Sequence, residues 1–85
     1  MNISKNEQRV LHALAQGGFV QYDRAANGKI TDITCFTREG YVLSNCTMDV
    51  FTKLRRKGLV ASRKSGAYRI SDRGRRTVGA QLDNR

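Results

Sequence analysis

The sequence predicts a single small α+β domain, and three observations carry that prediction. A capping box introduces a helical apolar stripe near the start of the chain; β-branched and aromatic runs punctuated by glycine turns fill the middle; a helix, a tight hairpin and a further helix close it. With 85 residues there is room for one modest core and not for a second domain, so residues 1–85 are read as one unit. The composition, 39% apolar and 27% charged, is that of an ordinary globular chain.

Ser4-Lys5-Asn6-Glu7 has capping-box spacing, which predicts a helix over residues 5–16. Val10, Leu11 and Leu14 supply its apolar side, and Gly17-Gly18 a left-handed stop. Phe19-Val20-Gln21-Tyr22 then reads as a strand. Asn27-Gly28 is expected to form a two-residue hairpin turn, because both residues tolerate positive φ, with residues 29–36 returning. In that return strand Ile30 and Phe36 share a face with Asp32 and Thr34, while Ile33 and Cys35 share the other with Thr31. The alternation therefore leaves the register open. Thr37-Arg38-Glu39-Gly40 predicts a second turn and Tyr41-Val42-Leu43 a third short strand.

Asn45 or Thr47 can cap a helix running to about residue 57, which Gly58 ends. Thr47, Val50, Phe51 and Leu54 fall on one face as core positions; Asp49, Thr52, Lys53 and Arg56 face the other way. Residues 59–62 and 67–70 read as hairpin strands about the basic tip Arg63-Lys64-Ser65-Gly66. Ser71 or Asp72 then caps a last helix over residues 73–80, and residues 81–85 read as a frayed tail.

Helix, basic hairpin and capped basic helix together look like the second half of a winged-helix domain. The expected architecture is thus winged-helix-like: an N-terminal helix, a β-hairpin insertion, a recognition-type helix at 47–57, a basic wing hairpin and a short C-terminal helix. The insertion stands where a helix would complete a helix-turn-helix pair, which argues against ordinary sequence-specific reading of DNA. It also leaves a sheet edge to which a protein could add a strand.

Sixteen Lys and Arg against seven Asp and Glu give a formal charge of +9, and the bases are segregated. Between positions 53 and 76 lie Lys53, Arg55, Arg56, Lys57, Arg63, Lys64, Arg69, Arg73, Arg75 and Arg76 against Asp72 alone, so the rest of the chain is neutral. Such a field selects a polyanion, or a partner that itself handles nucleic acid. Lys53, Arg55, Arg56, Lys57, Arg63, Lys64, Arg69 and Arg73 are the candidate partner-binding or nucleic-acid-binding residues.

Other chemistry finds no support. Cys35, Cys46 and the single His12 cannot assemble a four-ligand zinc site, and the two cysteines are expected as half-buried free thiols rather than a disulfide. No nucleophile with an orienting acid can be assigned around His12, so neither catalysis nor a cofactor nor a small-molecule substrate is expected. Tyr22, Tyr41 and Tyr68 could stack on bases, but tyrosines on strands more often pack. The polar start, and the lack of any apolar run near the roughly 18 residues a spanning helix needs, place the chain in the cytoplasm, away from membranes.

Residue by residue the chain resembles the small bacterial YjhX-type toxins. The likeness runs through Glu7-Gln8-Arg9, Leu11-His12, Gly17-Gly18, Arg38-Glu39-Gly40, Leu43-Ser44, Cys46-Thr47, Val50-Phe51, Lys53-Leu54, Tyr68-Arg69-Ile70, Ala80-Gln81 and Asp83-Asn84-Arg85. The resemblance implies a toxin of a toxin–antitoxin pair that inhibits DNA topoisomerase I by direct contact and is neutralised by an antitoxin protein similar to an acetyltransferase. It carries no catalytic motif, and it suggests a contact role for Asp83-Asn84-Arg85, where simple solubility is the alternative. From Lys53 onward the chain is more basic than the family pattern, which leaves open a direct DNA role. The rival readings are a DNA-binding regulator using Lys53, Arg56, Arg63 and Lys64, and an interaction module without toxicity.

Overall fold

The computed structural model describes residues 3–64 and 66–82, with side chains up to residue 79. Seven elements follow one another: α1 (Lys5–Ala15), β1 (Phe19–Arg24), β2 (Ile30–Phe36), α2 (Met48–Arg56), β3 (Val60–Ser62), β4 (Tyr68–Ile70) and α3 (Asp72–Leu82). The expected capping box opens α1: Ser4 Oγ accepts the Glu7 amide at 3.1 Å and Glu7 Oε1 accepts the Ser4 amide at 3.2 Å. Gln16 caps the helix, and Gly17, at φ 113°, turns the chain away as only glycine does without strain.

The β1–β2 hairpin corrects the expected two-residue turn. Gly28 has positive φ, 85°, but Asn27 does not; its Oδ1 accepts the Lys29 amide at 3.0 Å instead. Gly28 N–H donates to the Ala25 carbonyl at 2.9 Å and Ala25 N–H to the Lys29 carbonyl at 2.8 Å, so the connection spans residues 25–29. An Asn side chain that satisfies a nearby amide has no need of the left-handed region. The ladder accordingly shifts register between Asp23 and Arg24.

The turn at residues 37–40 forms as expected, with Gly40 N–H donating to the Thr37 carbonyl at 3.0 Å. The third strand expected at Tyr41-Val42-Leu43 does not form: a single Phe36–Val42 bridge remains. Tyr41 and Val42 are 73% and 63% exposed, so burial gives no reward for a longer ladder. Thr47 proves to be the α2 cap, its Oγ1 accepting the Val50 amide at 3.3 Å, and Gly58 leaves the helix at φ 72°. Ser71 caps α3 by accepting the Gly74 amide at 3.0 Å. That helix runs through residue 82, longer than expected, so residues 81 and 82 of the frayed tail read at 81–85 are helical; residues 83–85 lie outside the described residues.

What the pattern left open, the sheet decides. The strands join in the order β2-β1-β4-β3, all antiparallel, with Val20 opposite Tyr68 as the link between the two hairpins. One face carries Val20, Cys35, Val60, Tyr68 and Ile70 into a core completed by Val10, Leu11 and Leu14 of α1, Val50, Phe51 and Leu54 of α2, Leu59, and Val78 of α3. The Tyr68 ring stands edge-on to Phe51 and Tyr22, at centroid distances of 5.0 and 5.2 Å. The opposite face presents Phe19, Gln21, Asp23, Asp32, Thr34, Phe36 and Arg69, none of them buried.

Candidate functional site

Five of the eight predicted residues fall on α2, β4 and α3, Lys57 caps α2, and Arg63 and Lys64 lie in the β3–β4 turn; α2 packs against β3, β3 against β4, and β4 against α3. The eight residues do not form one uniform patch. Lys57 reaches across to α1 and pairs with Glu7 at 2.7 Å, its own side chain only 28% exposed and that of Glu7 3%. Burial pushes the Glu7 carboxyl up, but the Lys57 ammonium and the Ser4 hydrogen bonds outweigh it and hold the group below its ordinary value. Lys57 thus ties two helices together. Arg73 donates to the Lys57 carbonyl at 3.4 Å and closes the α2–β3 corner.

Arg55 lies over the rings of Phe51 and Tyr68, 5.8 and 5.5 Å from their centroids, spreading its charge at the rim of the core. Lys53 pairs with Asp49 at 3.2 Å along the exposed side of α2, an arrangement worth little in water. Arg56, Arg63 and Lys64 are exposed. Lys64 sits at φ 52°, a left-handed conformation that costs a non-glycine residue about 1 kcal/mol.

On the far side of the β3–β4 hairpin, Arg69 lies over the Phe19 ring at 5.3 Å. Beside it opens a groove of about 700 Å³ whose charged lining is Arg63, Arg69 and Arg75 with Asp72 opposing them, and Ala61, Gly66 and Ala67 among its small residues. Arg75 was absent from the predicted set; its place in the first turn of α3, next to a cap that abuts the hairpin, is the signal that could have included it. Phe19 and Phe36 were also missed. Their rings stack at 5.3 Å on the outer sheet face, which only the β1–β2 register reveals.

The remaining candidates are structural. Cys35 is buried, Cys46 partly so, and both are free. The Cys46 thiol hydrogen-bonds the Cys35 sulfur, drawing Cys35 below its ordinary value while Cys46 is driven up, by that bond and then by burial. His12 Nε2 stands 3.2 Å from Gln16 Nε2 on an exposed flank. Tyr22 and Tyr68 pack as expected, whereas Tyr41 is left exposed by the missing strand. Among the described residues no group of three or more His, Cys, Asp or Glu could hold a metal ion, and no helix is long and apolar enough to cross a membrane.

A family described as "Putative toxin of bacterial toxin-antitoxin pair" matches residues 1–85. The chain belongs to the YjhX toxin family. It is 67% identical to a UPF0386 protein of Ruegeria sp. (strain TM1040) and 66% identical to one of Beijerinckia indica, each over 100% of both chains. A UPF0386 protein of Aliivibrio fischeri is 55% identical, again over 100% of both chains. No solved structure matches the chain. Membership of the YjhX toxin family brings with it the antitoxin partner that a toxin–antitoxin pair implies.

Proposed function

We propose that this protein is a cytoplasmic, non-catalytic toxin that docks its basic half on DNA topoisomerase I and blocks it until an antitoxin occupies the protein. The observation that carries the reading is that Lys53 and Arg56 on α2, and Arg63 and Lys64 at the tip of the β3–β4 hairpin whose first strand packs against that helix, all remain exposed. A positive surface of that kind suits an enzyme whose own business is with a polyanion, because it can compete for the region that holds DNA. The resemblance to YjhX-type toxins names the enzyme. A pull-down against topoisomerase I followed by a supercoil-relaxation assay tests it: relaxation should stop at stoichiometric protein, and undiminished relaxation in excess would refute the reading.

A second reading is supported by the placement of α2 beside the hairpin, the relation of a recognition-type helix to its wing. In it Lys53 and Arg56 enter a major groove roughly 12 Å wide while Arg63 and Lys64 hold phosphates. A duplex binder of this sort loses affinity with salt at a log–log slope of about −0.9 per neutralised phosphate, so a mobility-shift series separates the two readings.

A further inference from the structure

Apart from Arg63, which both readings use, the open face of the sheet has a chemistry of its own. Phe19 pairs with Phe36 across β1 and β2, Val20 opposite Tyr68 sets Phe19 beside Arg69, Arg69 pairs with Ala61, and the single bridge places Val42 next to Phe36. One row, Val42, Phe36, Phe19, Arg69, Ala61, therefore crosses the whole sheet on the side away from the core. It holds two aromatic rings that are partly covered and a valine 63% exposed, with none of them packed into the core.

We propose that this face binds single-stranded nucleic acid, with bases stacking at Phe19 and Phe36 and the sugar–phosphate strand following Arg69, Arg63 and Arg75. The two rings lie 29° from parallel, with the Arg69 guanidinium 5.3 Å above Phe19, so a π surface and a fixed cation stand side by side. That is the pairing a nucleotide presents in reverse, a flat base joined to an anion. The adjoining groove of about 700 Å³ takes the backbone, since three arginines line it against one carboxylate, Asp72, and Ala61, Gly66 and Ala67 are its small residues.

The other end of the same face sets the limit. Asp23 and Asp32 stand directly opposite one another and are exposed, so they repel phosphates and confine the strand to the arginine side. A duplex offers this face less, because its bases are already stacked on one another.

Fluorescence anisotropy with a labelled oligothymidine and a duplex of equal length tests the site without topoisomerase present, so the result is independent of the toxin reading. The single strand should bind about tenfold more tightly than the duplex and weaken as salt rises. Phe36→Leu, which keeps the apolar contact and removes the ring, should cost about fivefold or more. Arg75→Gln, an exposed change with no bearing on folding, should weaken the single strand and leave the thermal midpoint in place. Absent single-strand binding, or unchanged single-strand affinity in Arg75→Gln and a folded Phe36→Leu, would overturn the proposal.

Discussion

Glu7 is only 2% exposed and still charged, which a protein tolerates when a partner and hydrogen bonds surround the carboxylate. Lys57 at 2.7 Å and the Ser4 amide provide them. Lys57→Met keeps the apolar stem and strips the charge, leaving the carboxylate buried alone; urea denaturation should show a loss of about 3 kcal/mol. The native carboxyl titrates below its ordinary value of 4.5, so it stabilises the fold above that pH, and the contribution fades as pH falls through the lower folded value. Stability of the natural protein should therefore decline on acidification below about pH 4.5, and Lys57→Met should flatten that decline. Lys64 offers the opposite experiment. Lys64→Gly relieves the left-handed backbone and should raise stability by about 1 kcal/mol in the same assay, while weakening whatever binding the hairpin tip supports.

Helix α3 contains two glycines that the sequence treats alike and the packing does not. A Cβ at Gly74 would run into the Leu59 carbonyl oxygen and lie 2.6 Å from Ile70 Cγ1, because the helix start is pressed onto the β3–β4 hairpin. Around Gly79 there is open space. Gly79→Ala should thus stabilise by about 0.5–1 kcal/mol through helix propensity. Gly74→Ala should lose about 1–3 kcal/mol to overpacking, more than the same propensity gain returns. Thermal melts followed by circular dichroism read both, and equal shifts would mean that α3 does not dock where the structure puts it.

For the molecule as a whole, folding is largely indifferent to charge at exposed positions, so the proposed role of the basic surface can be tested apart from stability. Replacing Arg63 and Lys64 together by Glu reverses the sign of the hairpin tip, and exposed substitutions of this kind shift stability by no more than about 0.5 kcal/mol each. Induced expression of the natural protein should arrest growth, and the double variant should relieve the arrest with an unchanged melting temperature. Arrest that persists in the folded variant would take the hairpin tip out of the toxic surface.

Most local signals were legible, though the Asn27-Gly28 turn was not, and the caps of the second and third helices were narrowed only to Asn45 or Thr47 and to Ser71 or Asp72. The Ser4–Glu7 capping box, the Thr47 and Ser71 caps, the glycine stops at Gly17 and Gly58 and the hairpin after Leu59 all follow from hydrogen bonds or φ preferences within a few residues. The charge segregation is likewise a property of the chain alone. Pairing between distant segments was not legible. Nothing near Val20 announces that it will lie opposite Tyr68, nor near Glu7 that it will meet Lys57, since such contacts are chosen by the total burial they permit. The same choice sorted the basic residues, turning Lys57 into a tie between helices, setting Arg55 on the rim of the core and bringing Arg75 into a groove with Arg63 and Arg69. The sequence by itself determined the elements and the sign of the surface; the tertiary structure alone decided which charges remain available, because that depends on neighbours many residues away.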